Sequence, residues 1–255
     1  MSVDVIIPAY NAQATIERCI QSVLSQDHGD LRIHVFDDAS SDETPAILTR
    51  LQRDHPNIHV TRVTQNVGAG VARNTLLNSQ NLGSEYIAFL DADDQWLPGK
   101  IGKQIALMKQ TGHPMSHSAM RVILDDGARI VSAKRLVSYQ DMKFRNWIPM
   151  SSAILRADLV KSKSMPPLRK RQDYAYWLTL FRENGHSSVG LEEPATIYDG
   201  TVRGISTNKF ENVIWNYRAL RAGTGANPLS CSAYLACNIG WYIRERLFAA
   251  QAKVK

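Results

Sequence analysis

Over the first hundred residues, short apolar runs alternate with helically spaced ones and leave little slack between them, a pattern that points to a parallel α/β sheet. Val5-Ile6-Ile7 makes a first strand, and Ile16, Cys19, Ile20, Val23 and Leu24 then recur on one helical face. Residues 32–36 form a second strand, and Thr44-Pro45 reads as cap and first helical residue of a helix buried through Ile47, Leu48 and Leu51. Residues 58–63 alternate as a third strand, the segment after Gly68-Ala69-Gly70 is helical to about Leu77, and residues 86–90 are the fourth strand. Repeated strand-helix-strand units imply right-handed crossovers between parallel neighbours.

Ligands of such sheets gather beyond the carboxyl ends of the strands. Each strand here delivers polar residues there: Pro8-Ala9-Tyr10-Asn11, Asp37-Asp38-Ala39-Ser40, Gln65-Asn66-Val67-Gly68 and Asp91-Ala92-Asp93-Asp94. The last run crowds three carboxylates at the exit of a buried strand, which is costly unless a cation sits among them. Mn²⁺ and Mg²⁺ take a few carboxylates plus phosphate oxygens, so the spacing suggests a site where metal meets a diphosphate. The same acids would also suit the start of a helix. Tyr10 offers a flat ring and Asp38 an acceptor for a base or a ribose, together a nucleoside slot. Asn66, Gly68 and Gly70 bring backbone to a helix start, and Arg73, one turn on, can reach phosphate oxygens or orient the acidic cluster. Gly-Ala-Gly lacks the third glycine of a dinucleotide fingerprint and follows the third strand rather than the first.

Charge is bipolar along the chain. Residues 1–110 hold 9 Lys and Arg against 13 Asp and Glu, whereas residues 111–255 hold 21 against 11. The basic half suits an anionic partner, such as a phosphate-bearing acceptor or a membrane surface, or it is simply solvated; no zinc-finger, helix-turn-helix or aromatic RNA-binding signature supports nucleic acid. Three cysteines without C-x-x-C spacing, no apolar run long enough to span a bilayer and no basic leader imply the cytoplasm. Beyond Leu97-Pro98 the pattern predicts a helix over 100–109, a hairpin turning at Asp126-Gly127, loops and short elements over 132–171, a helix from Asp173, and a short strand near Val189 or Ile197. A final helix from Leu229 puts Leu235, Ile239, Ile243 and Leu247 on one face, with Trp241, Arg244, Arg246, Lys253 and Lys255 elsewhere; it can dock on the domain or lie on a bilayer.

Taken in order, Ile6-Ile7-Pro8-Ala9-Tyr10-Asn11, Asp37-Asp38-Ala39-Ser40-Ser41-Asp42, Asn66-Val67-Gly68-Ala69-Gly70-Val71-Ala72-Arg73-Asn74 and Leu90-Asp91-Ala92-Asp93-Asp94, followed by Trp96, Pro98 and Lys100, resemble the motifs of family-2 glycosyltransferases with the GT-A fold, of the kind that build bacterial surface polysaccharides such as O-antigen. Arg171-Gln172-Asp173-Tyr174-Ala175-Tyr176-Trp177-Leu178 resembles the family's acidic motif, with Gln172 where a glutamate is usual. The resemblance implies an α/β fold with a Rossmann-like, mostly parallel central sheet, flanking helices and a C-terminal acceptor-side helical region. Residues 1–110 would form the nucleotide-sugar-binding part, 111–225 the acceptor and catalytic-base part of the same domain, and 226–255 an amphipathic helix.

By the same resemblance Pro8, Ala9, Tyr10, Asn11, Asp38, Asn66, Gly68, Arg73, Asp91 and Ala92 would bind the nucleotide, with Tyr10 and Asp38 on the base and Asp91 on the ribose. Asp93 would hold Mn²⁺ or Mg²⁺, and Asp173 would be the catalytic base. Asp94, Trp96, Arg171, Gln172 and Arg203 would face donor or acceptor, the last within a Tyr198, Arg203, Gly204, Ser206, Lys209 stretch. The basic run Lys161, Lys163, Arg169, Lys170 and Arg171 would meet the diphosphate of a lipid-linked acceptor. The implied reaction is inverting transfer of a hexose from a nucleotide-sugar, by expectation a UDP-sugar, to a polyprenyl-diphosphate-linked or other saccharide acceptor, in the cytoplasm or at the inner face of the membrane. A sugar nucleotidyltransferase shares several of these parts, but Asn11-Ala12-Gln13-Ala14-Thr15 is not its glycine-rich basic loop. A basic membrane- or nucleic-acid-binding module is the non-enzymatic alternative.

Overall fold

A computed structural model describes residues 1–160, 163–201 and 209–252. Its elements run β1 (Val3–Ala9), α1 (Ile16–Leu24), β2 (Leu31–Asp37), α2 (Thr44–Asp54), β3 (Ile58–Arg62), α3 (Ala69–Leu77), β4 (Tyr86–Phe89), β5 (Gln95–Trp96), α4 (Lys100–Thr111), β6 (Met115–Leu124), β7 (Gly127–Val131) and β8 (Leu136–Val137). There follow α5 (Tyr139–Phe144), a 3₁₀ turn (Met150–Ser152), β9 (Ile154–Arg156), α6 (Ala157–Val160), α7 (Gln172–Asn184), β10 (Ser188–Asp199), α8 (Lys209–Thr224) and α9 (Pro228–Ala252).

One sheet runs through the molecule in the order β3-β2-β1-β4-β9-β6-β10-β5, with β7 and β8 on its flank. The first four strands pair in parallel, as their connecting helices demand. In β1, Ile6 faces a layer holding Ala72, Leu76 and Trp177, while Val5 and Ile7 face another holding Ile16, Ile20, Leu48 and Ile101. Both faces are covered, so β1 is buried throughout, as central parallel strands are.

The structure departs from the expectations at several points. β9 lies in the weakly patterned 132–171 segment, yet it is inserted antiparallel between β4 and β6 and makes the sheet mixed. The short elements of that segment also carry much of the main core, in which Met142, Ile148, Met150 and Leu155 are buried. Val189 and Ile197 belong to one 12-residue strand, parallel to β6, whose register shifts around Pro194, which lacks a ladder N–H. Thr44 does not cap α2; it is the first helical residue, and its hydroxyl accepts from the Ala12 amide at 2.8 Å instead.

Helix α8 has no counterpart among the expectations. It packs on α7 by close approach: a Cβ on Gly223 would lie 2.6 Å from Leu178 and 2.7 Å from the Ala175 carbonyl, so only glycine fits there. Helix α9 then docks on α5 and α8, using only part of the face the spacing suggested, since Leu235 packs on the main core. Tyr234 meets Phe144 edge-on at 5.7 Å, the Asn238 amide donates to the Phe144 carbonyl, and Trp241 meets Trp147 at 5.8 Å, while Ile239 and Ile243 stay exposed. Among the described residues no helix is long and apolar enough to cross a membrane.

Candidate active site

The carboxyl ends of β1 to β4 meet on one rim, and short polar bonds lock them together. Asp38, just past β2, accepts from the amides of Val67 (2.7 Å) and Gly68 (2.8 Å) with its two carboxylate oxygens, while its own carbonyl receives the Asn66 side chain. Asn11, after β1, donates its amide to Ser40 and accepts from the Ser41 amide with its side chain, both at 2.9 Å. Among the described residues three non-glycine residues adopt left-handed backbone, Asn11, Ala39 and Arg171, with Gly68 at φ 86°, and all four border the rim. Strained backbone of this kind is retained where surrounding structure holds it, commonly at functional sites. Tyr10 is 53% exposed, so its ring is free for stacking. Pro8 and Ala9 lie inside β1, opposite Phe36 and Asp37.

At the exit of β4 the acidic residues are held from several directions. The Asp91 amide donates to the Ser151 hydroxyl at 3.0 Å, its carbonyl accepts from Cys19, and its carboxylate pairs with Arg73. Arg73 is only 4% exposed. Its guanidinium is thus engaged with the acidic cluster. Asp94 is buried and bonded to Ser151, and its Oδ1 has no partner among the described residues. Burial, then the charges of Asp91 and Asp93, push its carboxyl well up; burial and the charge of Asp91 push Asp93 up to about 6. Ala92 is buried between them. Asp199, at the end of β10 and paired with Arg18, adds negative charge beside Asp93 and completes the acidic floor. The Tyr198 phenol, close enough to feel all three acids and Arg171, overhangs it.

Trp96 departs from its expected place facing the substrates. It is 3% exposed, its indole N–H donates to the Ser151 carbonyl at 2.8 Å, and the buried Lys100 ammonium lies over its ring at 4.3 Å. Its role is to carry Ser151, and through it the acidic turn.

The start of α7 comes to the same rim. The Gln172 side chain packs on α3 at Gly70, where an added Cβ would lie 3.4 Å from Gln172 Cγ, and Trp177 meets Phe89 of β4 edge-on at 5.9 Å. Asp173 does not cap its helix; its Oδ2 accepts from the Asn146 amide group at 2.9 Å. Arg171, in left-handed backbone, forms the corner before it. Of the basic run, Lys163 pairs with Glu183 and Lys170 with Glu211, which ties much of that charge up within the protein. Lys161, Arg203, Gly204 and Ser206 lie outside the described residues.

Among the described residues no three His, Cys, Asp or Glu side chains are arranged to chelate a metal by themselves. The donor set instead fits a hard divalent ion that takes one or two carboxylates and completes its shell with phosphate oxygens. The unpartnered Oδ1 of Asp94 and the crowding of three acids are the features such an ion would relieve. Ser151, Asn146 and Asp199 were not singled out from the sequence. Asp199 had a signal in its position at a strand end; Ser151 and Asn146 had none.

The glycosyl transferase family 2 model matches residues 4–184, which take in this rim and all of α7. The chain belongs to glycosyl transferase family 2. Among relatives of this glycosyltransferase, the Bacillus subtilis protein TuaG, named for teichuronic acid biosynthesis, is 32% identical over 82% of this chain and 83% of its own length. The Escherichia coli protein WfaP, named as a UDP-Glc:alpha-D-GlcNAc-diphosphoundecaprenol beta-1,3-glucosyltransferase, is 32% identical over 92% of this chain and 93% of its own. Two solved structures share the fold. Staphylococcus aureus TarS bound to UDP-GlcNAc superposes with a TM-score of 0.70 at 18% identity, covering 94% of this chain and 72% of that one. The Pyrobaculum calidifontis mannosyltransferase PcManGT, with GDP-Man and Mn²⁺, superposes with a TM-score of 0.60 at 19% identity, covering 99% and 79%.

Proposed function

We propose that this family 2 glycosyltransferase moves a sugar, with inversion, from a UDP-sugar to a saccharide carried on a polyprenyl diphosphate, in the assembly of a surface polysaccharide. The observation that carries the reading is the acidic turn of Asp91, Asp93 and Asp94 beside the start of α7, the two fastened through Gly70 and Gln172 and through Phe89 and Trp177. The UDP-GlcNAc held by TarS supports the donor class, and the printed name of WfaP supports the acceptor class. The net basic second half supports peripheral contact with an anionic membrane face, where such an acceptor resides.

In this reading Tyr10 stacks on the base, while Asp38 sets the slot by holding the loop of Asn66, Val67 and Gly68. Asp91, fixed by Arg73 and Ser151, faces the ribose. Asp93, with Asp94 behind it, would hold a divalent ion, which would supply positive charge against the diphosphate. Asp173, oriented by Asn146, takes the proton of an acceptor hydroxyl as that oxygen forms its bond to the anomeric carbon. The bond from that carbon to the phosphate oxygen breaks, and the electron pair leaves with the nucleoside diphosphate.

The test is UDP release from UDP-sugars in the presence of a lipid-linked acceptor. Asp173→Asn is expected to lower kcat about 10²- to 10⁴-fold with UDP binding retained. Asp93→Ala is expected to remove both turnover and Mn²⁺-dependent UDP binding. Turnover that survives both substitutions, or that a chelator leaves untouched, refutes the proposal.

A further inference from the structure

Among the described residues the other arginines of the nucleotide rim are engaged: Arg18 with Asp199, Arg62 with Asp37 and Arg73 with Asp91. Arg171 differs from them. Its guanidinium forms no hydrogen bond or ion pair with a described residue, although its Nε is buried. Its backbone is left-handed, at φ 61° and ψ 22°, which strains a residue that carries a side chain and suits glycine. A strained corner held by arginine points to a need for the group that arginine carries. Two neighbours locate it. Gln172, the next residue, packs on Gly70 in the first turn of α3. Burial, then the charges of Asp94, Asp93 and Asp91, raise the Tyr198 phenol, and the charge of Arg171 opposes them. Arg171 and the acidic turn are thus both within electrostatic reach of that ring, which is 39% exposed.

We infer that Arg171 binds the β-phosphate of the nucleotide donor and takes up the charge that appears there as the sugar leaves. This role rests on the donor class proposed above and adds a second cation to its leaving-group site. Charge decides the assignment. The diphosphate of a sugar nucleotide is doubly anionic. Breaking the bond from the anomeric carbon leaves the electron pair on the phosphate oxygen, which adds one more negative charge. A divalent ion beside Asp93 would offset the first two, and the unpaired acids around it offer nothing for the third. A fixed guanidinium at the α7 corner does. Its planar fork takes two phosphate oxygens at once and stays protonated at any working pH. Lys163 and Lys170 are held by Glu183 and Glu211 instead. The reach of Arg171 to the phenol beside the acidic turn assigns it to the donor's diphosphate rather than to the acceptor's.

The test is calorimetric binding, with Mn²⁺ and without acceptor, of UDP and of UMP, which lacks the β-phosphate. In Arg171→Gln the Kd of UDP is expected to rise about 10- to 100-fold and that of UMP by less than about threefold. Arg171→Lys, which keeps the charge and loses the fork, is expected to fall between parent and Gln variant. Arg171→Gly separates binding from folding. Relief of the left-handed strain offsets the freer unfolded chain, so Tm is expected to stay within about 3 °C of the parent while UDP affinity falls as in the Gln variant. An unchanged UDP Kd in Arg171→Gln or Arg171→Gly overturns the inference, as does equal weakening of UDP and UMP. Weakened binding of farnesyl diphosphate with UDP binding intact moves Arg171 to the acceptor and overturns it too. Failure of the proposed function has a different signature: the parent protein binds UDP through Arg171 yet transfers no sugar to a lipid-linked acceptor.

Discussion

Replacing Ser151 with alanine isolates one hydroxyl that two acidic residues share. The change keeps the Ser151 carbonyl, and so the Trp96 tie, but removes the acceptor of the Asp91 amide and the partner of Asp94. An interior amide left without a partner costs roughly 1–3 kcal/mol, and a second lost hydrogen bond adds about 1 kcal/mol. The sum, about 2–4 kcal/mol, corresponds to a fall in Tm of roughly 4–16 °C for a chain of this size. A thermal melt measures this in the free protein, and a second melt with UDP and Mn²⁺ tests the site itself. At a hundredfold excess over Kd the ligand adds about 2.7 kcal/mol; if losing the turn weakens affinity tenfold, the gain shrinks to about 1.4 kcal/mol. A Ser151→Ala protein that melts within 1 °C of its parent and is stabilised equally by UDP would show that this hydroxyl does not organise the acidic turn.

Two further outcomes test the frame around the site. His117 is buried against Ser188, and burial pushes its imidazole down to about 4. The unfolded chain binds a proton there near pH 6.5 and the folded chain does not, so stability is lost as pH falls from about 6.5 to 4, on the order of 2–3 kcal/mol. His117→Asn should flatten that acid limb in pH-dependent melts, and an unchanged limb would rule His117 out as its source. Gly223→Ala forces a methyl group into Leu178 and the Ala175 carbonyl. It should cost roughly 1–3 kcal/mol by overpacking, read as a lower Tm, and a neutral result would contradict the close approach of α7 and α8.

What the sequence disclosed, and what it withheld, follow from the kind of signal each part carries. Strands β1, β2 and β4 are visible because burial on two faces leaves apolar runs, β3 because it alternates, and all four because Asp38, Asn66, Gly68 and the Asp91 turn recur at strand exits. Strand β9 is three residues long, too short to show a period, and owes its existence to its neighbours on both sides. Helix α8 meets α7 closely at Gly223 and buries few large apolar residues, chiefly Leu220 beside Ala219, too few to show a stripe in sequence. Helix α9 scatters apolar and aromatic residues over more than one face, so spacing alone could not say which side is covered, and Tyr234, Leu235, Asn238 and Trp241 make its contacts with the domain. The acidic turn was legible as composition, but Ser151, which holds it, comes from 60 residues further along the chain. Trp96 was misplaced because a large aromatic next to an acidic motif reads equally as a platform or as a pillar.

Strand β9 also has a mechanical consequence. Its three residues hydrogen-bond on one side to the strand that ends at the acidic turn and on the other to the strand beside β10, so the two portions of the sheet are stitched edge to edge without a hinge. Helix α7, which carries Asp173 and leans on β4 through Trp177 and Phe89, therefore rests on a sheet with no seam between its two portions.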